Sequence, residues 1–305
     1  MKGGIKMTHE EQVKERYDNK ILVTGASGRV GSSTVKSLQE QGQPVRAGIH
    51  LQPLAINGVE TCAIDFDRPG TLPPALEGID QLFLISREVK HEMAMVEAAL
   101  EAGVKRIVKL SSFRADKDTF LVGRLHREIE RRIEKSGIAW TFLRPNYLMQ
   151  NFITLLGDDI RNEDAIYFSI GDARTSFIDA RDVGAVAAQV LTGHGHDGKA
   201  YDLTGPEAIN YHEAAAMLSD ALGRTIRYVP IGDDEFRKKL QDMGVPDEYV
   251  EIFVDVNRQT RLGNTGEHIV TASVEEVTGQ SATPFTQFCR DYASDLSPGK
   301  NAMTK

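Results

Sequence analysis

The stretch TGASGRVG, Thr24 to Gly31, follows the apolar run Ile21-Leu22-Val23 and precedes a segment with helical patterning, an order that few folds accommodate. Gly25, Gly28 and Gly31 fall at every third position. A strand ending in such a loop turns tightly, lets its backbone approach a ligand, and opens a helix whose free N–H groups and dipole favour an anion. The first gap is one residue wider than in the common dinucleotide fingerprint, but the physical need is the same. The loop, with Ser27, Arg29 and Val30 between its glycines, therefore predicts a pyrophosphate cradle.

The rest of the chain repeats the strand–helix order. KILVT (20–24), PVRAGI (44–49), VETCAI (59–64), QLFLIS (81–86), RIVKLSS (106–112) and AWTFLR (139–144) read as strands. VGSSTVKSLQEQG (30–42), KHEMAMVEAALEAG (90–103) and FLVGRLHREIERRIEKSG (120–137) read as helices, the last two closed by Gly103 and Gly137. Such alternation predicts an α/β fold, a doubly wound parallel sheet of the Rossmann type, with ligands beyond the carboxyl ends of its strands. TSFIDARDVGAVAAQVLTG (175–193) and GKAYDLTG (198–205) read as one more helix and strand. From Pro206 on, the pattern is mostly helical, with a short strand RTIRYVP at 224–230. The expected division is 18–150 plus 175–205 as the dinucleotide domain, and 151–174 plus 206–295 as a smaller, mostly helical C-terminal substrate lobe. Residues 1–17 and 296–305 are expected as tails.

Composition narrows the partners. A net charge of −8 argues against nucleic acid or an anionic membrane, which select clustered Lys and Arg. The two cysteines, Cys62 and Cys289, are far apart, and no C-x-x-C spacing suggests zinc. His194 and His196 sit in a Gly-rich turn that reads as a solvated loop, so no metal is expected. Without a leader-like apolar stretch the expected address is cytoplasmic, and the expected partner a small molecule. A homodimer paired through helices 90–103 and 120–137 and plain solvated faces on those helices both fit the pattern.

The wider glycine spacing after Thr24 resembles the short-chain dehydrogenase/reductase superfamily. ILVTGASGRVG, VRAGIH, IDFDRP, AGVKRIVKLSSF, SGIAWTFLRPNYLMQNF, SFIDARDVGAVAAQVL and GKAYDLTGPE together resemble its atypical NmrA-like branch over residues 19–290. That branch holds NADPH-dependent quinone and triphenylmethane-dye reductases, isoflavone-reductase-like enzymes and NAD(P)-sensing regulators. The resemblance implies a nicotinamide dinucleotide along the strand ends, Asp65 and Phe66 beside its adenine, and Ser86 and Arg87 on its pyrophosphate and nicotinamide side. His50 stands where NADP-dependent relatives carry a phosphate-binding Arg, and no acid occupies that point, so NADP(H) is expected over NAD(H), with NAD(H) left open. Arg29 is a second candidate for the adenosine phosphate, or a solvated side chain.

Ordinary members of the superfamily protonate the substrate with a Tyr-x-x-x-Lys pair, and none of the eight tyrosines here has Lys four places on. By the same resemblance the lysine position is taken by His126, with Glu130 one turn later. His126 is thus the candidate for ribose contact or proton donation, oriented by Glu130, though it also borders the apolar stripe Leu121, Leu125, Ile129 and Ile133. Ser111, at a strand end, is expected at the cofactor with Asn146, and Phe113 beside the substrate. PNYLMQNF (145–152) supplies an acceptor wall from Tyr147, Met149, Asn151 and Phe152, with ordinary core packing as the other reading of Met149 and Phe152. Quinones and cationic dyes accept hydride without a strong enzymatic acid, so the chain reads as an NAD(P)H-dependent reductase of quinone-like, aromatic or enone acceptors. A non-catalytic NAD(P)-sensing regulator is the alternative.

Overall fold

A computed structural model of the chain describes residues 20–50, 56–86 and 89–299. Arg87 and the expected tail 1–17 lie outside the described residues. In chain order the elements are β1 (Ile21–Val23), α1 (Arg29–Glu40), β2 (Val45–Ile49), β3 (Glu60–Ala63), α2 (Leu72–Leu76), β4 (Gln81–Leu84), α3 (Val89–Glu101), β5 (Arg106–Leu110), α4 (Leu121–Ser136) and β6 (Ala139–Pro145). They continue as α5 (Asn151–Thr154), α6 (Gly157–Glu163), β7 (Ala165–Phe168), α7 (Ala180–Thr192), β8 (Lys199–Leu203), α8 (Tyr211–Leu222), β9 (Arg227–Pro230), α9 (Asp233–Asp242), α10 (Asp247–Arg261), α11 (Ser273–Thr278) and α12 (Phe285–Asp291).

Seven strands form one sheet in the order β3-β2-β1-β4-β5-β6-β8, the doubly wound arrangement that the alternation predicts. Every residue of β1 and β4 is buried, as befits strands covered on both faces, and β1 pairs in parallel with both neighbours, Leu22 opposite Arg46 and Leu82. The order reverses between β1 and β4, and the glycine loop leaves β1 at that switch point.

Two expectations shift. The predicted helix 175–193 starts only at Ala180, because Thr175 pairs antiparallel with Ile209 and Ile178 bridges to Leu148. The hydroxyls of Thr175 and Ser176 bond residues 267 and 269, an alternative to the helical ladder that these side chains favour. The C-terminal strand β9 has a partner that the sequence did not announce, β7, which pairs with it in parallel from Ala165 opposite Arg227 to Phe168 opposite Pro230.

The chain divides into two compact units. One draws on Met1–Leu110, Arg131–Phe142 and Gly184–Lys199, the other on Ser111–Glu130, Leu143–Val183 and Ala200–Lys305. In the first, Leu22, Val35, Leu38, Phe83, Val96, Ile107 and Ile133 are closed to solvent. The second has an aromatic core in which Phe152, Phe168, Phe177, Tyr211, Phe236, Phe285 and Phe288 are all buried. Its helix α8 begins with a reciprocal cap: the Glu213 N–H donates to Asn210 Oδ1 at 2.9 Å, and the Asn210 N–H donates to Glu213 Oε2 at 3.0 Å.

Candidate cofactor and acceptor residues

In the first unit the glycine loop is built from backbone. Thr24 Oγ1 donates to the Ile85 carbonyl at 2.6 Å and accepts the Ile85 N–H at 2.8 Å, which ties the end of β1 to that of β4. Gly25 then takes a left-handed φ of 57°, the conformation that starts the turn. Its carbonyl is covered so closely that a Cβ on Gly31 would lie 2.2 Å from that oxygen, and one on Gly28 3.1 Å away. The helix α1 that follows has no side-chain cap on Gly28 and no acid in its first turn, leaving its leading N–H groups and positive dipole end to a ligand. Gly25, Gly28 and Arg29 face solvent, Ser27 is half-buried, and Val30 and Gly31 are buried beneath. A pyrophosphate fits this cradle, because the surface offered is main chain with no side chain in the way.

Beyond β2 and β3 lie the residues expected around adenosine. His50 Nε2 is 3.7 Å from Asp65 Oδ2, and Arg68 Nε donates to the same oxygen at 2.5 Å. The Arg68 guanidinium, helped by the Asp67 N–H and by His50, holds the Asp65 carboxyl below its usual range against the opposing effect of burial. Phe66 stacks on His91 with ring centres 5.1 Å apart, and His91 Nε2 lies 3.4 Å from Asp67 Oδ1. Ser86 is half-buried just past β4.

In the second unit a charged lock surrounds Ser111. Arg144 donates from Nε and Nη2 to the two oxygens of Glu130 at 2.9 and 2.7 Å, and from Nη1 to Asp116 at 2.9 Å. Ser111 Oγ and Arg127 Nη1 also donate to Glu130, at 2.7 and 3.1 Å. The carboxylate is 0% exposed. Burial alone would raise its pKa; the Arg144 fork, Ser111 and Arg127 outweigh that and keep it below the usual range. The Glu130 oxygens thus accept from Ser111, Arg127 and Arg144, three partners that the spacing on the helix does not announce, while His126 is half-buried one turn earlier on α4. Arg114, just past Phe113, is held left-handed at φ 50° with its N–H on Asp202 Oδ1 at 3.1 Å, a strained non-glycine position of the kind that gathers at functional sites.

The expected acceptor wall divides. Asn146 Nδ2 donates to Ser176 Oγ and to the Glu267 carbonyl, each at 2.8 Å, and its Oδ1 accepts the Tyr147 N–H, so its amide is engaged inside the unit. Phe113, Met149 and Phe152 are closed within the core, Phe152 against Phe177, Tyr211 and Phe285. Tyr147 and Asn151 are half-buried. The Tyr147 ring meets Phe168 and Phe177 edge-on, with its hydroxyl turned inward, buried and without a hydrogen-bond partner among the described residues. Burial, with the Glu267 charge adding to it, raises that phenol far above its ordinary range. Glu267 is itself buried, its carboxyl accepts from Thr175 Oγ1 at 3.3 Å, and burial pushes its pKa up to about 7.

Arg144, Arg114, Arg68 and Glu267 escaped the sequence reading. Arg144 alone carried a local signal, as the charged residue inside the apolar strand AWTFLRP. Among the described residues no group of His, Cys, Asp and Glu is placed to hold a metal ion, and no helix is long and apolar enough to cross a membrane.

Comparison with known proteins adds to this geometry. The profile of the NmrA-like family matches residues 17–289. The NAD(P)H azoreductase of Xenophilus azovorans is 36% identical over 285 residues, covering 90% of this chain and 98% of that protein. The (4-alkanoyl-5-oxo-2,5-dihydrofuran-3-yl)methyl phosphate reductase of Streptomyces griseus is 35% identical over 287 residues, with 91% and 99% covered. The Escherichia coli NADPH-dependent quinone oxidoreductase QOR2, solved in complex with NADPH, superimposes with a TM-score of 0.78 at 26% identity, covering 89% of this chain and 99% of that one.

Proposed function

Since the chain belongs to the NmrA-like family, we propose that it is an NAD(P)H-dependent oxidoreductase that passes hydride directly to a quinone-like, aromatic or enone acceptor, without a Tyr-x-x-x-Lys pair. NADP(H) is its preferred cofactor, with NAD(H) also used. The observation that carries the reading is the main-chain cradle at Gly25, Gly28 and Gly31, open to an anion and closed to a Cβ. The relatives that match nearly their whole length to this chain, an azoreductase acting with NAD(P)H and a phosphate-bearing butenolide reductase, support the class of reaction.

Reduced nicotinamide, when bound, supplies the hydride. The cradle holds the pyrophosphate by N–H groups and helix dipole, with Ser86 past β4 and Asp65 and Phe66 past β3 as further contacts. In the second unit the Glu130–Arg144 pair fixes Ser111, and Tyr147 and Asn151 offer the partly open surface of the acceptor wall. His126 holds the ribose or gives the proton. Acceptors whose reduced form is a stable anion or a neutral molecule need little acid help, so positioning supplies most of the rate. The protein is further placed in the cytoplasm, and its helices α3 and α4 are the faces through which a homodimer would pair.

The test is turnover. Mixed with NADPH and a panel of a benzoquinone, an azo dye and a cationic triphenylmethane dye, the protein is expected to oxidise NADPH in an acceptor-dependent way. Tight NADPH binding with no oxidation across the panel would replace this reading with that of an NAD(P)-sensing regulator. His126→Ala assigns the histidine: weaker NADPH binding marks a ribose contact, and a lower rate at unchanged binding marks a proton donor.

A further inference from the structure

Among the described residues three large apolar side chains are exposed, Leu262 at 65%, Ile269 at 37% and Val270 at 46%, and all three stand on the loop between α10 and α11 in the second unit. Scattered apolar residues on a surface are ordinary, but Ile269 and Val270 are adjacent and their backbone is pinned. Ser176 Oγ donates to the Ile269 carbonyl at 2.7 Å, the Thr271 N–H donates to Thr204 Oγ1 at 2.9 Å, and Thr271 Oγ1 donates to the Asp202 carbonyl at 2.7 Å. A ligand settling on this pair would have little loop freedom to freeze.

A cation without a counter-ion lies beside them. Gly266, on the same loop, has a left-handed φ of 72°, and a Cβ there would run into Arg114 Nη1 and come to 3.1 Å from Ile269 Cδ1. The guanidinium is therefore seated on bare main chain next to the Ile269 side chain. Arg114 is fixed at its own backbone as well: its N–H is on Asp202 Oδ1, and its carbonyl accepts the Lys117 N–H at 2.9 Å. Among the described residues the guanidinium makes no hydrogen bond and no ion pair, although it carries five N–H donors. The carboxylates of the neighbourhood are committed: Asp202 to the Arg114 N–H, Asp116 to Arg144 Nη1 and to Lys117 Nζ, and Glu267 to Thr175 Oγ1.

We propose that Arg114, Ile269 and Val270 form a recognition site for acceptors that carry an oxyanion group on a flat apolar body, the oxyanion on Arg114 and the apolar body on Ile269 and Val270. The proposal rests on the reductase reading above and names the substrate class within it. A planar guanidinium offers two parallel N–H bonds to a carboxylate, sulfonate or phosphate, which selects for charge and for orientation together. Val270 carries the apolar surface on into a groove of about 370 Å³ that also has Pro206 and Val274 in its walls, a size within the roughly 300–1,000 Å³ usual for small-molecule sites. The charged residue lining that groove is Glu275, so an anion is favoured at the Arg114 end and disfavoured at the other.

The test compares 4-(phenylazo)benzoate with 4-(phenylazo)benzamide, a pair that differs in charge and little in shape. Each is titrated calorimetrically into the full chain at saturating NADP+, which carries no hydride, so the readout does not depend on turnover. The unmodified protein is expected to bind the carboxylate about tenfold or more tighter than the amide. Arg114→Gln is expected to remove that preference, weakening the carboxylate about tenfold and the amide less than about twofold, whereas an arginine with a merely structural role would shift both ligands alike. Arg114→Lys keeps the charge but not the fork and should retain part of the preference. Ile269→Ser, at an exposed position, should weaken both ligands several-fold and by the same factor. The proposal is overturned if the unmodified protein binds both ligands equally, if Arg114→Gln shifts both equally or neither, or if neither ligand binds, as expected of a surface made for a protein partner. A carboxylate bound through Arg114 but left unreduced in the presence of NADPH would uphold the site and overturn the reductase reading instead.

Discussion

The glycine loop of the first unit and the charged lock of the second both fix a short segment at a strand end, by opposite means. At Gly25–Gly31 the position is set by main chain touching main chain, and side chains are excluded. Around Ser111 main-chain bonds to Leu143 and Pro145 are joined by a side-chain lock, a buried carboxylate gripped by two arginines and a hydroxyl. The first arrangement has nothing to ionise and is sensitive to added volume. The second tolerates volume no better and also depends on charge balance, because a buried ion that loses its partner is far costlier than a missing contact.

Substitutions test that difference. The largest effect is expected from Glu130→Gln, which keeps the shape of the lock but leaves Arg144 buried without its forked counter-charge; unfolding in urea should show a loss of about 3–5 kcal/mol. A loss below about 1 kcal/mol would mean that the lock is not structural. Next is a pH effect within the same unit. Glu267 has a folded pKa of about 7 against an ordinary 4.5, so folding takes up a proton. Its favourable contribution is intact below the ordinary value, erodes as pH rises, and is gone above about 7, a change of about 3 kcal/mol in all. Comparing urea midpoints of the unmodified protein and Glu267→Gln at about pH 5 and pH 8, the variant should gain relative to the parent at the higher pH. Equal differences at both pH values would contradict the assignment. Glu130, whose pKa is lowered, has the reverse sign: its contribution is present above the ordinary carboxylate value and is lost as pH falls.

On the main-chain side, Gly31→Ala forces a Cβ to within 2.2 Å of the Gly25 carbonyl. Displacing the loop should cost about 1–3 kcal/mol of stability and most of the NADPH affinity, with no dependence on pH. A variant that binds NADPH normally would show the cradle to be slack. The smallest effect on stability is expected from His126→Ala, within about 0.5 kcal/mol, since His126 is half-buried and Arg144, Arg127 and Ser111 all remain on Glu130; a calorimetric melt checks this.

The contrast also explains what could be read before the structure. A cradle made by backbone needs glycines at fixed spacing, and spacing is written in the chain; so are the apolar runs and helical patterns that placed β1 to β6 with α1, α3 and α4, though not the short α2. The lock joins positions 111, 130 and 144 through the fold. Locally the sequence displayed only His126 and Glu130 one turn apart, and no spacing announced that Arg144 would reach the same carboxylate from β6. The same holds for β7, four residues whose partner β9 lies some sixty positions on, and for Asp65, which reaches His50 only through the β2–β3 register. In the acceptor wall, apolar spacing could not separate a core ring such as Phe152 from a half-open one such as Tyr147, because both obey the same pattern.

The touching glycines also constrain how descendants of this chain can diversify. The closest contacts of the cradle are main chain, so a side chain added at Gly31 acts by displacing the loop rather than by offering a new contact. Past β2 and β3, by contrast, His50 and Arg68 stand in solvent and can be exchanged one at a time without displacing that main-chain turn.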